Sequence, residues 1–422
     1  QPPDGNHLEE SGGDGGMKWE KVKLGDIATF SNGINFNKTA YAKGIKLIGV
    51  SNFGDRFYPD YSQLQEVKKD IVRLEDCLRN GDIVFVRSNG NKELVGRCML
   101  VKNPTERVTY SGFCIRARLN DTDRYDPVYF TYYFKSKAFR RAVSGTAVGA
   151  NIQNLSQARL SNHECRIPSI EVQHRIADIL SVYDDLIENN QKQIKLLEEA
   201  AQRLYKEWFV DLRFPGYENT KIVDGVPEGW RVASIADICD TVGGGTPSTK
   251  IQSYYERGDI LWVTPTDITR NFSLALLDTE KKITPEGLKN SSAKMLPAET
   301  ILMTSRASVG FFGMCKYEVC TNQGFISCIP KRENLQMYLL FNLKSRVEEI
   351  RQKAGGSTYL EISKTVFREL KIILPKDEVL AEYQKNVHDI FDEIYCRTEM
   401  IKSLVDMRNR VLPKLMSGEV EV

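Results

Sequence analysis

Polar side chains that can hydrogen-bond to bases and phosphates follow two apolar segments predicted as buried strands. After Ile83–Val86 come Arg87, Ser88, Asn89, Asn91 and Lys92. After Thr300–Met303 come Thr304, Ser305 and Arg306. Arg and Lys donate to guanine, Asn pairs with adenine, and Ser and Thr bind phosphates or bases. Both loops are therefore candidate nucleic-acid contacts, although each alone also fits an ordinary solvated loop.

Two further pairs of polar loops occupy corresponding places in the two halves of the chain. One pair contributes Asn32, Asn35, Asn37 and Lys38, and then Thr246, Ser248, Thr249 and Lys250. The other pair contributes Asn151, and then Ser357, Thr358 and Tyr359. Three equivalent loops in each half favour DNA binding. Because the loop residues differ between the halves, we expect each half to read a different short sequence, which predicts a bipartite, asymmetric target.

No motif indicates that the chain carries out catalysis. A GxxxxGK[ST] phosphate loop is absent, and Gly243–Lys250 resembles one only in composition. Pro59–Asp60 followed by Glu66–Lys68 partly matches a nuclease motif, but the spacing is short and the second half lacks it. Four histidines and nine scattered cysteines without a CxxC argue against a metal site. The cysteine pattern predicts a reduced, cytoplasmic protein.

The loops are carried by a unit that occurs twice in the chain. Three residues recur 211 positions later: Trp19 as Trp230, Asp26 as Asp237 and Gly33 as Gly244. Two later correspondences are Phe113 with Phe325 and Leu160 with Leu370. A repeat of this length is too long for a solenoid and indicates a duplicated domain.

Each copy leads into a long helix with heptad spacing. The first has core positions at Ile176, Leu180, Tyr183, Ile187, Asn190, Ile194, Leu197, Ala201, Leu204 and Trp208. The second has them at Leu380, Tyr383, Val387, Ile390, Ile394, Arg397, Ile401, Leu404, Arg408, Val411 and Leu415. This 3.5-residue period predicts supercoiled helices, and each can be the antiparallel partner of the other. Asn190 and Arg397 lie near the midpoints, so we expect them to face each other and fix the register.

These observations predict an α+β fold with two tandem-repeated globular domains, separated by two long helices that form an antiparallel coiled coil. The predicted segments are a tag or disordered tail at 1–16, a first body at 17–168, a central helix at 169–211, a linker with a second body at 212–376, and a C-terminal helix at 377–422.

Charge is distributed unevenly among these segments. The first body has 25 Lys and Arg against 15 Asp and Glu, and the second has 22 against 18. Both helical segments are acidic. Basic bodies joined by acidic helices suggest that the bodies bind a polyanion. No apolar run approaches 18 residues, so the sequence predicts no membrane span.

Several segments resemble the specificity subunit of type I restriction-modification systems. Those near the first long helix are Gly149–Ser156 and Ile167–Leu180. Those in the second body and at the C-terminal end are Pro227–Trp230, Leu302–Arg306, Thr321–Phe325 and Leu412–Gly418. The order of two bodies and two helices follows the same family pattern from Met17 to Val422.

The resemblance implies that the bodies are target-recognition domains that grip two half-sites of double-stranded DNA. It also implies that the helices set the spacing and dock two modification subunits, which bind S-adenosylmethionine and methylate adenine. Restriction subunits that use ATP are optional partners. The chain itself would bind no cofactor or metal and catalyse nothing. The alternatives are a coiled-coil scaffold that does not bind DNA and a self-sufficient restriction or modification enzyme.

Overall fold

The computed structural model describes residues 19–54, 56–88, 94–144, 154–356 and 360–422. The chain forms two compact units, one of residues 1–186 with 404–422 and one of residues 187–403. Each unit therefore combines one body with parts of both long helices. The architecture is α+β with a tandem duplication and two long helices, as the sequence predicted.

The first body begins and ends on the same two-stranded ribbon. Its strands are β1 (Glu20–Lys23), β2 (Ala28–Asn32), β3 (Tyr41–Ile48), β4 (Gln65–Val67), β5 (Ile83–Val86), β6 (Cys98–Leu100), β7 (Val108–Tyr110), β8 (Cys114–Leu119) and β9 (Glu164–Ile167). Its helices are α1 (Leu24–Ile27), α2 (Pro127–Lys135), α3 (Lys137–Ser144) and α4 (Gln157–Ser161). Strands β1 and β9 pair antiparallel, and the first long helix, α5 (Ile170–Tyr205), follows β9.

Two sheets form the centre of the first body. One is antiparallel with the order β2-β8-β5-β6, and the other has the order β4-β3-β7 with β3 and β7 parallel. All four residues of β5 are buried, as expected for a central strand with both faces covered. The aromatic side chains of α2 and α3 belong to the same core, because Phe130, Phe134 and Phe139 are buried against it.

The second body repeats this topology. Its strands are β10 (Ile222–Val223), β11 (Val226–Pro227), β12 (Arg231–Ser234), β13 (Cys239–Val242), β14 (Ile260–Val263), β15 (Lys282–Ile283), β16 (Ile301–Thr304), β17 (Phe312–Gly313), β18 (Cys320–Thr321), β19 (Phe325–Pro330) and β20 (Lys371–Leu374). Its helices are α6 (Ile235–Ile238), α7 (Pro265–Thr269), α8 (Pro285–Lys289), α9 (Gln336–Ser345), α10 (Val347–Lys353) and α11 (Lys364–Arg368). The sheets β13-β19-β16-β17 and β15-β14-β18 and the ribbon β12-β20 match those of the first body.

The repeat register differs from the sequence alignment at two places. Strands β8 and β19 correspond residue by residue, which makes Cys114 the counterpart of buried Phe325. The proposed match of Phe113 with Phe325 was therefore wrong by one residue. Helices α4 and α11 correspond in the same way, so Leu160 matches Phe367. Sequence alignment failed here because apolar residues close to one another give competing matches.

In each body, a segment whose sequence is typical of one helix, 127–143 in the first and 335–353 in the second, is divided into two helices. In the first body, α2 and α3 are separated at Ser136, which has extended backbone angles and whose hydroxyl accepts from Phe139 N at 3.2 Å. In the second body, α9 and α10 are separated at Arg346. A Ser or Arg carries no strong helix-stop signal, which explains why the break was not predicted.

The two long helices are α5, extended by a π-helical turn at Lys206–Val210, and α12 (Asp377–Ser417). Thirteen of the predicted core residues are buried: Ile176, Leu180, Ile187, Asn190, Ile194, Ala201, Trp208, Leu380, Tyr383, Val387, Ile394, Ile401 and Leu415. The other eight are half-buried: Tyr183, Leu197, Leu204, Ile390, Arg397, Leu404, Arg408 and Val411. In the described part of the chain, no helix combines the length and apolar character needed to cross a membrane.

The buried seam of α12 lies one position away from the predicted one in its central turns. Phe391 and Thr398 are buried, whereas the predicted Ile390 and Arg397 are only half-buried. The reason is a second packing surface: Thr398 Oγ1 donates to Ser273 Oγ of the second body at 3.2 Å. In this unit α12 packs against the second body as well as against α5. A heptad pattern predicts only the contact with α5.

Polar groups link the two long helices within each unit. In the second unit, Arg397 Nη1 donates to Asn190 Oδ1 at 3.1 Å, so the predicted pair is present. Tyr383 Oη donates to Ala201 O at 3.5 Å, and the two contacts together give an antiparallel direction. In the first unit, Arg408 pairs with buried Asp184.

Candidate nucleic-acid interface

Two of the three loops predicted to bind DNA meet at one end of the antiparallel sheet in each body. Strand β8 lies between β2 and β5 and runs antiparallel to both, so its start lies beside their ends. The turn before β8, Ser111–Phe113, is therefore in contact with the loops that follow β2 and β5. We call residues 33–38, 87–88 and 111–113 the first tip. The corresponding residues 243–250, 305–308 and 322–324 form the second tip.

Backbone contacts hold the first tip together. Ile34 N donates to Tyr110 O at 2.9 Å, and Gly112 N donates to Ile34 O at 2.7 Å. A Cβ atom at Gly33 would lie 2.2 Å from Tyr110 O, so only glycine fits this crossing. Arg87 N donates to the carbonyl of Phe113 at 2.8 Å. These contacts bring two of the three predicted loops onto the Ser111–Phe113 turn.

The same contacts recur in the second tip. Gly245 N donates to Thr321 O at 2.9 Å, and a Cβ atom at Gly244 would lie 2.0 Å from the same oxygen. Ser305 N donates to Gly324 O at 2.8 Å, which matches the Arg87–Phe113 bond of the first tip. The tips therefore share one backbone arrangement while their side chains differ.

The two arginines that the sequence placed after corresponding strands are not structurally equivalent. The counterpart of Arg87 is Ser305, because each accepts at its carbonyl from the segment before α4 or α11 (Leu155 N at 2.8 Å, Ile362 N at 3.1 Å). Arg306 instead corresponds to Ser88, since both form an isolated bridge to that segment. The repeat therefore gives no reason to expect the same role for Arg87 and Arg306.

The arginines also have different internal partners. The half-buried Arg87 guanidinium donates to Gly112 O at 3.2 Å and so stabilises the turn of the first tip. Arg306 forms an ion pair with Glu361 at 3.6 Å, and its side chain is 48% exposed. An exposed pair of this kind contributes little to stability, so Arg306 can exchange Glu361 for a ligand.

Thr304 and Ser305 are corrections to the predicted DNA contacts. Both are buried, at 0% and 3% exposure. The Thr304 hydroxyl bonds to Ser308 O and accepts from Phe311 N at 2.9 Å. These side chains complete the turn after β16 and do not face solvent, so neither can reach DNA. Sequence reasoning missed this because a polar residue at a strand end gives no sign of whether its turn folds inward.

Most of the other predicted contacts in the described part of the chain are exposed. The exposed ones are Asn32, Asn35, Asn37, Lys38, Thr246, Ser248, Thr249 and Lys250, and Ser88 is half-buried. Asn37 also caps a short 3₁₀ turn by accepting from Thr39 N at 3.1 Å. Seven predicted residues lie outside the described part of the chain: Asn89, Asn91, Lys92, Asn151, Ser357, Thr358 and Tyr359.

Two exposed residues of the tips were missed by the sequence analysis. Phe113 is 63% exposed at the end of its turn, although large apolar side chains are usually buried. Gln323 corresponds to Gly112, and its Oε1 accepts from Thr246 Oγ1 at 2.5 Å. Phe113 lies in the turn between β7 and β8, and Gln323 lies in the corresponding turn between β18 and β19. The family resemblance of Thr321–Phe325 is the sequence signal that could have identified this turn.

The charge of the tips comes from lysine and arginine. Burial raises the pKa of Tyr110, whose hydroxyl shares a 2.7 Å hydrogen bond with Ser31, and raises the pKa of Cys114 to about 12. Neither group therefore ionises near neutral pH. In the second tip, Lys364 lies against the start of the loop, because a Cβ atom at Gly243 would be 2.5 Å from its Nζ. This arrangement favours an anionic ligand.

One cluster in the second unit has residue types that bind metals. Within the described ranges, Glu299, His388 and Asp392 are the group of three whose ligand atoms lie within 4.8 Å of one another. His388 Nε2 is 3.2 Å from Glu299, its Nδ1 is 3.3 Å from Asp392, and Lys316 is 2.6 Å from Asp392. The lysine already supplies a positive charge, so the cluster is explained as an ion-pair network and we assign it no metal.

Comparison with known proteins identifies the family. The family described as "Type I restriction modification DNA specificity domain" matches residues 17–199 and again 227–405. The HindI specificity subunit of Haemophilus influenzae is 25% identical over 475 aligned positions, which cover 95% of this chain and 99% of that protein. The MjaIX specificity subunit of Methanocaldococcus jannaschii is 38% identical over 173 residues, 40% of this chain and 39% of that protein.

A solved structure has the same fold. The crystal structure of the type I restriction-modification system S subunit from M. genitalium aligns with 97% of this chain and 98% of its own, with a TM-score of 0.55 at 17% identity. The order of domains and helices found here is thus shared along the full length of both chains.

Proposed function

The chain belongs to the type I restriction modification DNA specificity domain family, and we propose that its two tips read the two halves of a bipartite, asymmetric DNA target. The observation that carries this proposal is the repetition of one backbone arrangement with different exposed side chains. A shared arrangement presents each tip to DNA in the same way. Different side chains then select different bases, because base edges are distinguished by their donor and acceptor patterns.

The polar and basic groups at the tips suit both parts of DNA recognition. Lys38 in the first tip, and Lys250 together with Lys364 beside the second, are exposed and can bind phosphates without regard to sequence. Asn35 and Gln323 carry carboxamides, which pair with base edges. Phosphate contacts would orient each tip, and the carboxamides would supply part of the sequence preference.

The long helices are suited to bind protein partners of this DNA-reading chain. In the first unit, α5 exposes Ile179, Val182 and Leu186 at a spacing of three and four residues, which places them on one helix face. In the second unit, the same helix exposes Leu196, at 63%. Apolar side chains grouped on a helix face are typical of protein interfaces. We propose that two modification subunits dock on these helices, one at each unit, and that restriction subunits join them.

We further propose that catalysis resides in those partners. The modification subunits would hold S-adenosylmethionine and methylate adenine, and ATP would be used by the restriction subunits. The tips support a reading role without chemistry, since their hydroxyl, amide and guanidinium groups are hydrogen-bonding groups that bind without reacting. The chain would then contribute the choice of sequence to the complex.

The direct test is to co-express the chain with the modification subunit encoded beside it and to sequence the host DNA for methylated adenine. The expected result is one methylated motif made of two defined halves that flank unspecified bases, and it should vanish when the chain is omitted. Methylation that persists without the chain would support the scaffold alternative. Methylation or cleavage by the purified chain alone would support a self-sufficient enzyme.

A further inference from the structure

We propose that Gln323, with its carboxamide held by Thr246, reads an adenine in the half-site bound by the second tip; this inference rests on the proposed function. Gln323 lies at the centre of the turn that the surrounding loops contact. Its neighbour Gly324 accepts from Ser305 N at 2.8 Å, which fixes the backbone of the turn. The side chain is exposed, so it is presented outward from a rigid support.

The hydrogen bond from Thr246 leaves the groups that adenine needs. Thr246 Oγ1 donates to Gln323 Oε1 at 2.5 Å and occupies one lone pair of that oxygen. The oxygen retains a second lone pair, and among the described residues Nε2 has no hydrogen-bond partner. Adenine presents an N6 donor beside an N7 acceptor in the major groove, which matches one acceptor and one donor of a carboxamide. Guanine presents two acceptors there, so its O6 would face Oε1 without a proton between them.

The first tip offers a related group built in a different way. Gly112 occupies the position of Gln323, and a Cβ atom there would lie 2.0 Å from Asn35 Oδ1. Asn35 is the counterpart of Thr246, so the amide of the first tip comes from the neighbouring loop and lies over the glycine. Each tip thus has one exposed carboxamide at this turn. In the second tip it belongs to Gln323 of the turn itself, and in the first tip it belongs to Asn35 of the neighbouring loop.

Positive charge beside the second tip would bind backbone phosphates and so hold the Gln323 carboxamide close to the base edges. Lys364 lies against Gly243, at the start of the loop that contains Thr246, and Lys250 is exposed near the end of that loop. Lysines near a base-reading group are suited to bind backbone phosphates. This arrangement assigns specificity to Gln323, affinity to the lysines and positioning to Thr246.

The test uses the complex of the full chain with its modification subunit and a duplex carrying the methylated motif of the wild-type complex. Gln323→Ala should weaken binding to that duplex about tenfold to hundredfold and make one A·T position of one half degenerate in the methylated motif. Gln323→Glu should shift the preference at that position towards cytosine, because a carboxylate accepts from its N4 amine. Thr246→Val should weaken binding and relax the motif less than Gln323→Ala does. Thr246→Ser keeps the donating hydroxyl and should give the wild-type motif.

Gln63→Ala is the matched control, since Gln63 is an exposed glutamine of the first unit that belongs to neither tip. It should leave the motif and the affinity unchanged. An unchanged motif with Gln323→Ala would overturn the inference while leaving the proposed function intact. An equal loss of affinity for all sequences would also overturn it, by making Gln323 a phosphate contact. Absence of any motif from the wild-type complex would instead reject the proposed function.

Discussion

His163 in the first unit and Leu370 in the second occupy the same place in the duplicated domain. Each carbonyl accepts from the first residue of a short helix, Leu24 N at 2.9 Å and Ile235 N at 3.0 Å. The His163 side chain bonds to Tyr133 Oη at 2.7 Å, whereas Leu370 is simply buried. The duplication has preserved the backbone contact and changed the chemistry of the side chain. At the tips too, the backbone contacts are preserved while the side chains differ. One duplicated domain therefore provides two different surfaces for reading DNA.

The long helices extend this comparison. In the first unit, Asp184 is buried, pairs with Arg408 and accepts from Tyr132 Oη at 2.6 Å. Burial, together with that carboxylate, raises the pKa of Tyr132 and keeps it a donor. In the second unit, a polar contact between the long helices joins Arg397 to the amide of Asn190. One unit thus uses an ion pair with a buried carboxylate where the other uses a neutral acceptor, so loss of the acceptor should affect the two units unequally.

The largest expected effect is the loss of Asp184. Asp184→Ala should destabilise the first unit by about 3 kcal/mol, because it removes the carboxylate that the half-buried Arg408 and Tyr132 both bind. Asn190→Ala should cost only about 1 kcal/mol, since Arg397 is half-buried and also pairs with Glu393 at 2.6 Å. Urea unfolding of the two variants measures the difference. Equal losses would show that the two polar contacts are energetically equivalent.

The two arginines of the tips should separate stability from recognition. Arg306→Ala should weaken binding to the cognate duplex by about 1–3 kcal/mol if Arg306 pairs with guanine, with little change in unfolding. Arg87→Ala should lower the free energy of unfolding by about 1 kcal/mol, because its bond to Gly112 O holds the turn. Titration of cognate and scrambled duplexes distinguishes base contacts from phosphate contacts. Loss of stability with Arg306→Ala and none with Arg87→Ala would reverse these roles.

Much of the fold could be predicted from sequence, because heptads, strand patterns and a repeat of 211 residues are local or self-similar signals. The site was predicted less well. Two of the three predicted loops meet at one sheet end in each body, but Thr304 and Ser305 are buried and Arg87 and Arg306 are offset by one position. These outcomes depend on strand register and on whether a turn folds inward. Both are set by contacts between residues far apart in the chain, which composition does not encode.

The smallest expected effect concerns pH. Burial lowers the pKa of His163 below its ordinary value of 6.5, so the unfolded chain binds this proton more readily. Stability of the first unit should therefore be retained above pH 6.5 and fall as the pH drops from there towards the lowered pKa. His163→Leu, which copies the second unit, should remove this part of the pH dependence. Identical profiles for wild type and variant between pH 7.5 and pH 5.5 would contradict the assignment.

The most direct test of the central claim is the methylated motif produced by complexes with one altered tip. We expect Asn35→Ala to relax the base preference in one half of the motif and Gln323→Ala to relax it in the other half. The half opposite each substitution should stay as in wild type. If either substitution changed both halves, or if both changed the same half, the two tips would not be independent readers and the account would be wrong.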